Sequence, residues 1–271
     1  MGERIAQASL IIQTLRDAGY KSTSFAVAEL VDNSIEADAE NIAISIQSGE
    51  EVVNNTISER IQKIGIFDDG IGMDFDVLSK CLSFGWGTRL NNGTGLGKFG
   101  FGLKGASISQ ARRIEIYSWQ KNQTPNFIYL DIDEVKENNL NELPEAISKD
   151  IPSNEMHLLK GFKPESGTLI IWSKLDRLNP KRAETLVKHM NGDMCRIFRH
   201  FMDDDDTLGK RRNISVSITD PNGDLIENSQ VLAANDPTYL LTPNNVPGYE
   251  NEQTNIINDQ VTIKVLDENN K

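Results

Sequence analysis

Residues 93–107 read GTGLGKFGFGLKGAS, a stretch dense in glycine that also carries Lys98 and Lys104. A backbone without Cβ atoms can bring its N–H groups close to an anion, so the stretch predicts a phosphate cradle. The P-loop pattern G-x-x-x-x-G-K-S/T fails at both ends. Asn92 stands where its first glycine belongs, and Phe99 follows Gly97-Lys98, so no hydroxyl is placed beside the lysine to ligate magnesium. Gly95, Gly97 and Gly100 do spell G-x-G-x-x-G, with Glu115 twenty residues beyond Gly95. That dinucleotide fingerprint needs a buried strand running into its first glycine, and the preceding SFGWGTRLNNGT is polar and glycine-rich instead. The remaining reading is a mobile lid whose partners lie elsewhere in the chain. It requires an acidic anchor for a nucleotide base and a separate ligand for magnesium.

Both requirements have candidates upstream. SFAVAELVDNSIEADA (24–39) has helical spacing, with Ser24 as the expected N-cap and Phe25, Ala28, Val31 and Ile35 as the core stripe. On that helix Glu29 and Asn33 are four apart and project from one face. A carboxylate there can deprotonate a water, and an amide oxygen suits Mg²⁺. Alone, such a pair is most often a solvated polar face. The second candidate is DDGIGM (68–73), which ends the isoleucine-rich strand IQKIGIFD. Asp68 can accept from the exocyclic amine of adenine, while Gly70 and Gly72 let a ring lie against backbone. In isolation this is also an ordinary strand-ending turn.

The whole chain bounds these readings. With 271 residues and 38% apolar composition it can bury a large core. Its 28 basic and 40 acidic residues give a formal charge of −12, which as a whole repels nucleic acid and anionic membranes, with Lys210-Arg211-Arg212 as a local exception. Cys81 and Cys195 are isolated, and His157, His189 and His200 lack metal spacing, so neither a disulfide scaffold nor a zinc site is expected. Neither a signal peptide nor eighteen consecutive apolar residues occur, so the expected compartment is a reducing cytoplasm, or a nucleus, with no membrane contact.

Along the chain, helices are expected near 5–19, 74–84, from about 104, and over 180–202. Strands are expected at 41–47, 61–68, 112–120, 126–133, 167–175, 213–220 and 260–267, and a polar, solvent-facing insertion at about 134–166. The run Asp203–Asp206 with Gly209 predicts a linker. It divides the chain into a domain over 1–209 and the start of a second unit over 210–271, too short to be complete.

Taken in order, ELVDN (29–33), Asp68-x-Gly70-x-Gly72, Gly97-x-x-Gly100-x-Gly102 and Gly167-Thr168 resemble the four motifs of the GHKL ATPases. Gyrase, the large heat-shock chaperone, histidine kinases and MutL proteins make up that superfamily. The resemblance covers roughly residues 3–200, and the wording is most similar to MORC-type and related prokaryotic ATPases. It implies an α/β sandwich of the Bergerat type, a mixed and mostly antiparallel sheet with helices on one face, followed by the start of a transducer-like module.

The resemblance also implies roles. Glu29 would be the general base, Asn33 the Mg²⁺ ligand and Asp68 the adenine anchor. Gly70, Gly72 and Met73 would shape the base pocket. Gly97, Gly100, Gly102 and Leu103, with Lys98 and Lys104 as candidate cations, would lie at the phosphates, and Thr168 near the adenine. The implied activity is Mg²⁺-dependent ATP hydrolysis that closes a lid and drives homodimerisation of a clamp, its client left open. A phosphotransferase and a non-hydrolysing ATP-binding regulator remain as alternatives. The cation that completes the phosphate site would come from the second module, where Lys264 fits a structural strand position better than a switch.

Overall fold

The computed structural model describes residues 7–53, 55–84, 102–159, 164–203, 210–235 and 248–252. Its centre is one eight-stranded sheet in the order β5-β4-β3-β6-β2-β1-β7-β8. The strands are β1 (Asn41–Val53), β2 (Thr56–Asp68), β3 (Ala111–Trp119), β4 (Asn126–Asp131), β5 (Ile147–Ser148), β6 (Gly167–Leu175), β7 (Asn213–Thr219) and β8 (Leu225–Val231). All neighbours pair antiparallel except β1 and β7, which are parallel. The helices are α1 (Ala8–Ala18), α2 (Thr23–Glu36), α3 (Phe75–Lys80), α4 (Gly102–Gln110), α5 (Ile132–Glu137) and α6 (Ala183–Ile197).

Alternation along the strands sorts side chains between two unequal cores. Ile42, Ile44 and Ile46 of β1, Ile64 and Ile66 of β2 and Ile214, Val216 and Ile218 of β7 meet Val27, Leu30 and Val31 of α2, Ile108 of α4 and Leu186, Met190 and Met194 of α6. The other face buries Ala43, Phe67, Tyr117, Trp119, Phe127, Leu169 and Ile171 under Leu158 and Leu159. Those two leucines end a 3₁₀ segment, Ser153–Leu159. Part of the supposed solvent-facing insertion therefore roofs the second face of the sheet. Gly65 makes room for it, since a Cβ there would stand 2.8 Å from Leu158 Cδ2.

Three further expectations shift. The first strand pair is longer than its apolar stretches, because β1 and β2 continue as a two-stranded arm whose outer Val52 and Ile57 are exposed. On α2 the cap is Ser22 and Ser24 is buried. The buried stripe runs through Ala26, Val27, Leu30, Val31 and Ser34, while Phe25 is exposed. Finally, the linker expected near 203–209 does not mark a break in the sheet. β7 pairs with β1 from Asn41↔Asn213 to Gln47↔Thr219, so the chain after 210 supplies two strands of the same sheet. The strand expected at 260–267, with Lys264, lies outside the described residues.

Candidate functional site

Asp68 is the last residue of β2 and opposes Thr168, near the start of β6. Asp68 is only 5% exposed. It accepts from Ser34 Oγ at 3.0 Å, from the Gly70 N–H at 3.0 Å and from the Thr168 N–H. Burial nevertheless pushes it up to about 6, because these bonds only partly replace lost hydration. Ser118 on β3 extends the network: its hydroxyl lies 2.9 Å from Thr168 Oγ1, donates to the Gly167 carbonyl at 3.1 Å and accepts from the Met73 N–H at 2.8 Å. Met73 itself packs partly buried against the main core.

The glycines around Asp68 are sites of close approach. A Cβ on Gly70 would stand 2.7 Å from the Ala37 carbonyl oxygen. Gly72 has φ of +68° and faces Trp119, whose carbonyl carbon would be 2.8 Å from a Cβ. Ser166 Oγ donates to the Gly70 carbonyl at 2.8 Å, fastening this turn to the strand that carries Thr168. Asp69 plays a local part, accepting from the backbone N–H groups of Glu40 and Asn41 at 2.8 Å each.

One helix turn away, Asn33 donates its Nδ2 to the Glu29 carbonyl oxygen at 2.9 Å. The amide oxygen is then the atom left for an outside partner. The Glu29 carboxylate is half-buried between two elements. Its Oε2 accepts from the Tyr20 hydroxyl at 2.8 Å, and its Oε1 lies against Gly102, where a Cβ would also meet Glu29 Cδ at 3.0 Å. The first residue of α4 and the second turn of α2 thus touch at the carboxylate.

Lys104 takes another direction. Two residues along a helix point roughly opposite ways, so Lys104 leaves the side of α4 that Gly102 turns to Glu29. It is 2% exposed, and its ammonium donates to the Ser83 carbonyl beyond α3, with burial pulling its pKa down. Leu103 packs partly buried on the main core. Gly97, Lys98 and Gly100 lie outside the described residues.

The structure therefore brings together Glu29, Asn33 and Gly102 on one side, and Asp68, Gly70, Gly72, Met73 and Thr168 on the other. Ser34 joins the halves, one position beyond Asn33 on α2 and bonded to Asp68. Ser118 and Tyr20 have no signal in the sequence, and Ser34 has only its place beside Asn33. A separate, largely apolar cavity of about 730 Å³, lined by Ile12, Phe75, Leu82 and Leu143 among others, contains none of these residues.

Residues 20–168, which hold the Glu29–Asn33–Gly102 and Asp68–Thr168 groups, match the family described as Histidine kinase-, DNA gyrase B-, and HSP90-like ATPase. The chain belongs to that family. As a GHKL protein it has the family's Bergerat sandwich, and the family is one of nucleotide-binding ATPases. Over 87 residues, 31% of the chain, it is 33% identical to Protein MICRORCHIDIA 3 of Arabidopsis thaliana, a stretch that is 13% of that protein. A solved structure described as the N terminal domain of a DNA repair protein superposes with a TM-score of 0.50 at 15% identity. The superposition covers 87% of this chain and 57% of that one, and at such identity it concerns the fold. The chain thus spans only part of the length of either protein.

The basic run Lys210-Arg211-Arg212 is absorbed within the fold. Lys210 pairs with Glu40, and Arg212 with Asp38 at 2.9 Å. Among the described residues no helix is long and apolar enough to cross a membrane, and no cluster of three His, Cys, Asp or Glu could hold a metal.

Proposed function

We propose that this GHKL domain binds and hydrolyses ATP with Mg²⁺, Glu29 acting as general base on the attacking water, Asn33 as the metal ligand and Asp68 as acceptor for the adenine amine. The carrying observation is the Ser34–Asp68 hydrogen bond. It fixes the base-recognition carboxylate to the same helical turn as Asn33, so recognition of the base and handling of the phosphates share one rigid element. Asn33 fits the ion: its amide nitrogen is committed to the Glu29 carbonyl, and a single hard oxygen suits Mg²⁺, which takes few protein ligands beside substrate phosphates and waters. When bound, the ion would neutralise charge developing on the phosphates.

In this reading the segment around Gly97, Lys98 and Gly100 closes over the phosphates and the chain pairs with a second copy, as the family resemblance suggests; hydrolysis then releases both. The acidic balance and the internal pairing of Lys210 and Arg212 favour no DNA contact by this segment, and the client is left open.

The test is phosphate release and nucleotide affinity for the parent and Glu29→Ala, with mass by light scattering in the presence and absence of ATP. Removal of a general base typically costs about 10²–10⁴-fold in rate. Turnover should fall by that order, with ATP affinity within a few-fold. A Glu29→Ala protein hydrolysing at the parental rate would remove Glu29 from the mechanism, and a mass unchanged by ATP would remove the clamp.

A further inference from the structure

The carboxylate assigned above as general base is held by a residue from outside its own helix. Tyr20 lies in the short connection between α1 and α2, nine positions before Glu29, and its hydroxyl donates to Glu29 Oε2 at 2.8 Å. Among the described residues it is the one side chain that donates to this carboxylate, and no lysine, arginine or histidine pairs with it. The phenol is a dependable donor: burial and the Glu29 carboxylate push it up to about 12, so it keeps its proton at any working pH.

Tyr20 is itself fixed by α4. Gln110, the last residue of that helix and fully buried, donates to the Tyr20 carbonyl at 2.8 Å and accepts from Thr23 Oγ1 at 2.8 Å. The neighbouring Gly19 lets the connection lie against the same helix, since a Cβ there would stand 2.7 Å from Ser109 Cβ. Thus α4 reaches the base from both ends: Gly102 at its start borders Oε1, and Gln110 at its end fixes the backbone that aims the phenol at Oε2.

We infer that Tyr20 is a positioning residue for hydrolysis, its hydroxyl fixing the rotamer of Glu29 so that one carboxylate oxygen is held and the other is presented to water. The inference rests on the proposed role of Glu29. A carboxylate at the end of a flexible side chain samples several rotamers, and a general base is efficient only within hydrogen-bond reach of the proton it takes. A single donor on one oxygen removes that freedom without touching the nucleotide.

The test uses the whole chain and three variants, Tyr20→Phe, Glu29→Gln and both together, with kcat and KM for ATP, affinity for a fluorescent ATP analogue, and the thermal midpoint. Tyr20→Phe keeps the ring and removes only the donor. It should lower kcat about tenfold or more, the worth of a hydrogen bond to a charged group, with KM, analogue affinity and midpoint at parental values. In the Glu29→Gln background it should add no further loss, because residues acting as a unit are not additive. Tyr20→Phe at the parental kcat, beside an inactive Glu29→Gln, overturns the positioning role and leaves the base in place. A loss in Tyr20→Phe that appears equally in affinity and midpoint also overturns it, marking the residue as a structural tie. Parental turnover in Glu29→Gln removes the base, and the positioning role with it.

Discussion

Glu29 and Gly102 touch. The carboxylate on the second turn of α2 occupies the space that any side chain on the first residue of α4 would enter. The glycine is thus explained by a neighbour inside the protein. The contact places the proposed base beside a helix N-terminus, where aligned N–H groups favour negative charge, whether on a carboxylate or on ATP.

Gly102→Ala should therefore displace Glu29. An alanine is a better helix former than glycine, so α4 should persist and the thermal midpoint should not drop through propensity. Turnover should fall at least about tenfold, the penalty of misplacing a catalytic group by a fraction of its reach. Phosphate release checks this alongside circular dichroism, and an alanine variant with parental turnover would show that the carboxylate works from elsewhere.

Asp68 predicts opposite pH trends for stability and binding. Its folded value of about 6 lies above the unfolded value near 4. Between them the folded protein keeps a proton that the unfolded chain has released. This residue's contribution to stability is thus present in full below about pH 4 and is lost as pH rises through about 6. With Asp68 in its proposed role ATP affinity runs the other way, because the adenine amine then needs the ionised acceptor, and should fall as pH drops below about 6. Asp68→Asn should weaken ATP binding by about 10–100-fold, the worth of a charge-assisted hydrogen bond, and flatten both trends. Calorimetric titrations from pH 5 to pH 8 measure it, and a parental acid limb in the variant would reassign the titration.

Gly72→Ala meets two obstacles at once. The residue holds φ of +68°, and a Cβ would press into the Trp119 carbonyl. The left-handed backbone alone costs an L residue roughly 1–2 kcal/mol. For a domain of this size that corresponds to a fall in Tm of at least about 2–4 °C. Differential scanning fluorimetry decides it, and an unchanged midpoint would mean that the turn relaxes freely.

Ending the chain at residue 209 should prevent folding. Ile214, Val216 and Ile218 are buried against the core strand β1, and fully burying such side chains contributes roughly 1.5–3 kcal/mol each. Removing three of them is comparable to the whole stability of a typical domain, about 5–15 kcal/mol. A 1–209 protein that unfolds cooperatively near the parental midpoint would show that β7 and β8 are dispensable and restore the boundary expected from the charged run.

Most elements and half of the site were legible from the chain itself, because their signals are local. Helical spacing places Glu29 above Asn33, and a strand ending in Asp68-Asp69-Gly70 announces an acid at a turn whatever the rest of the protein does. Order along the chain then pointed to one family. Other features depend on contacts between distant residues. The roofing of the second face by Leu158 and Leu159, the direction of Lys104 and the capture of β7 by β1 follow from which surfaces meet, and a polar or charged stretch gives no sign of that. Tyr20 is the clearest case. Nine residues of sequence separate it from Glu29, a spacing with no helical or strand meaning, and only the packing of α4 beneath the α1–α2 connection turns that separation into a 2.8 Å hydrogen bond.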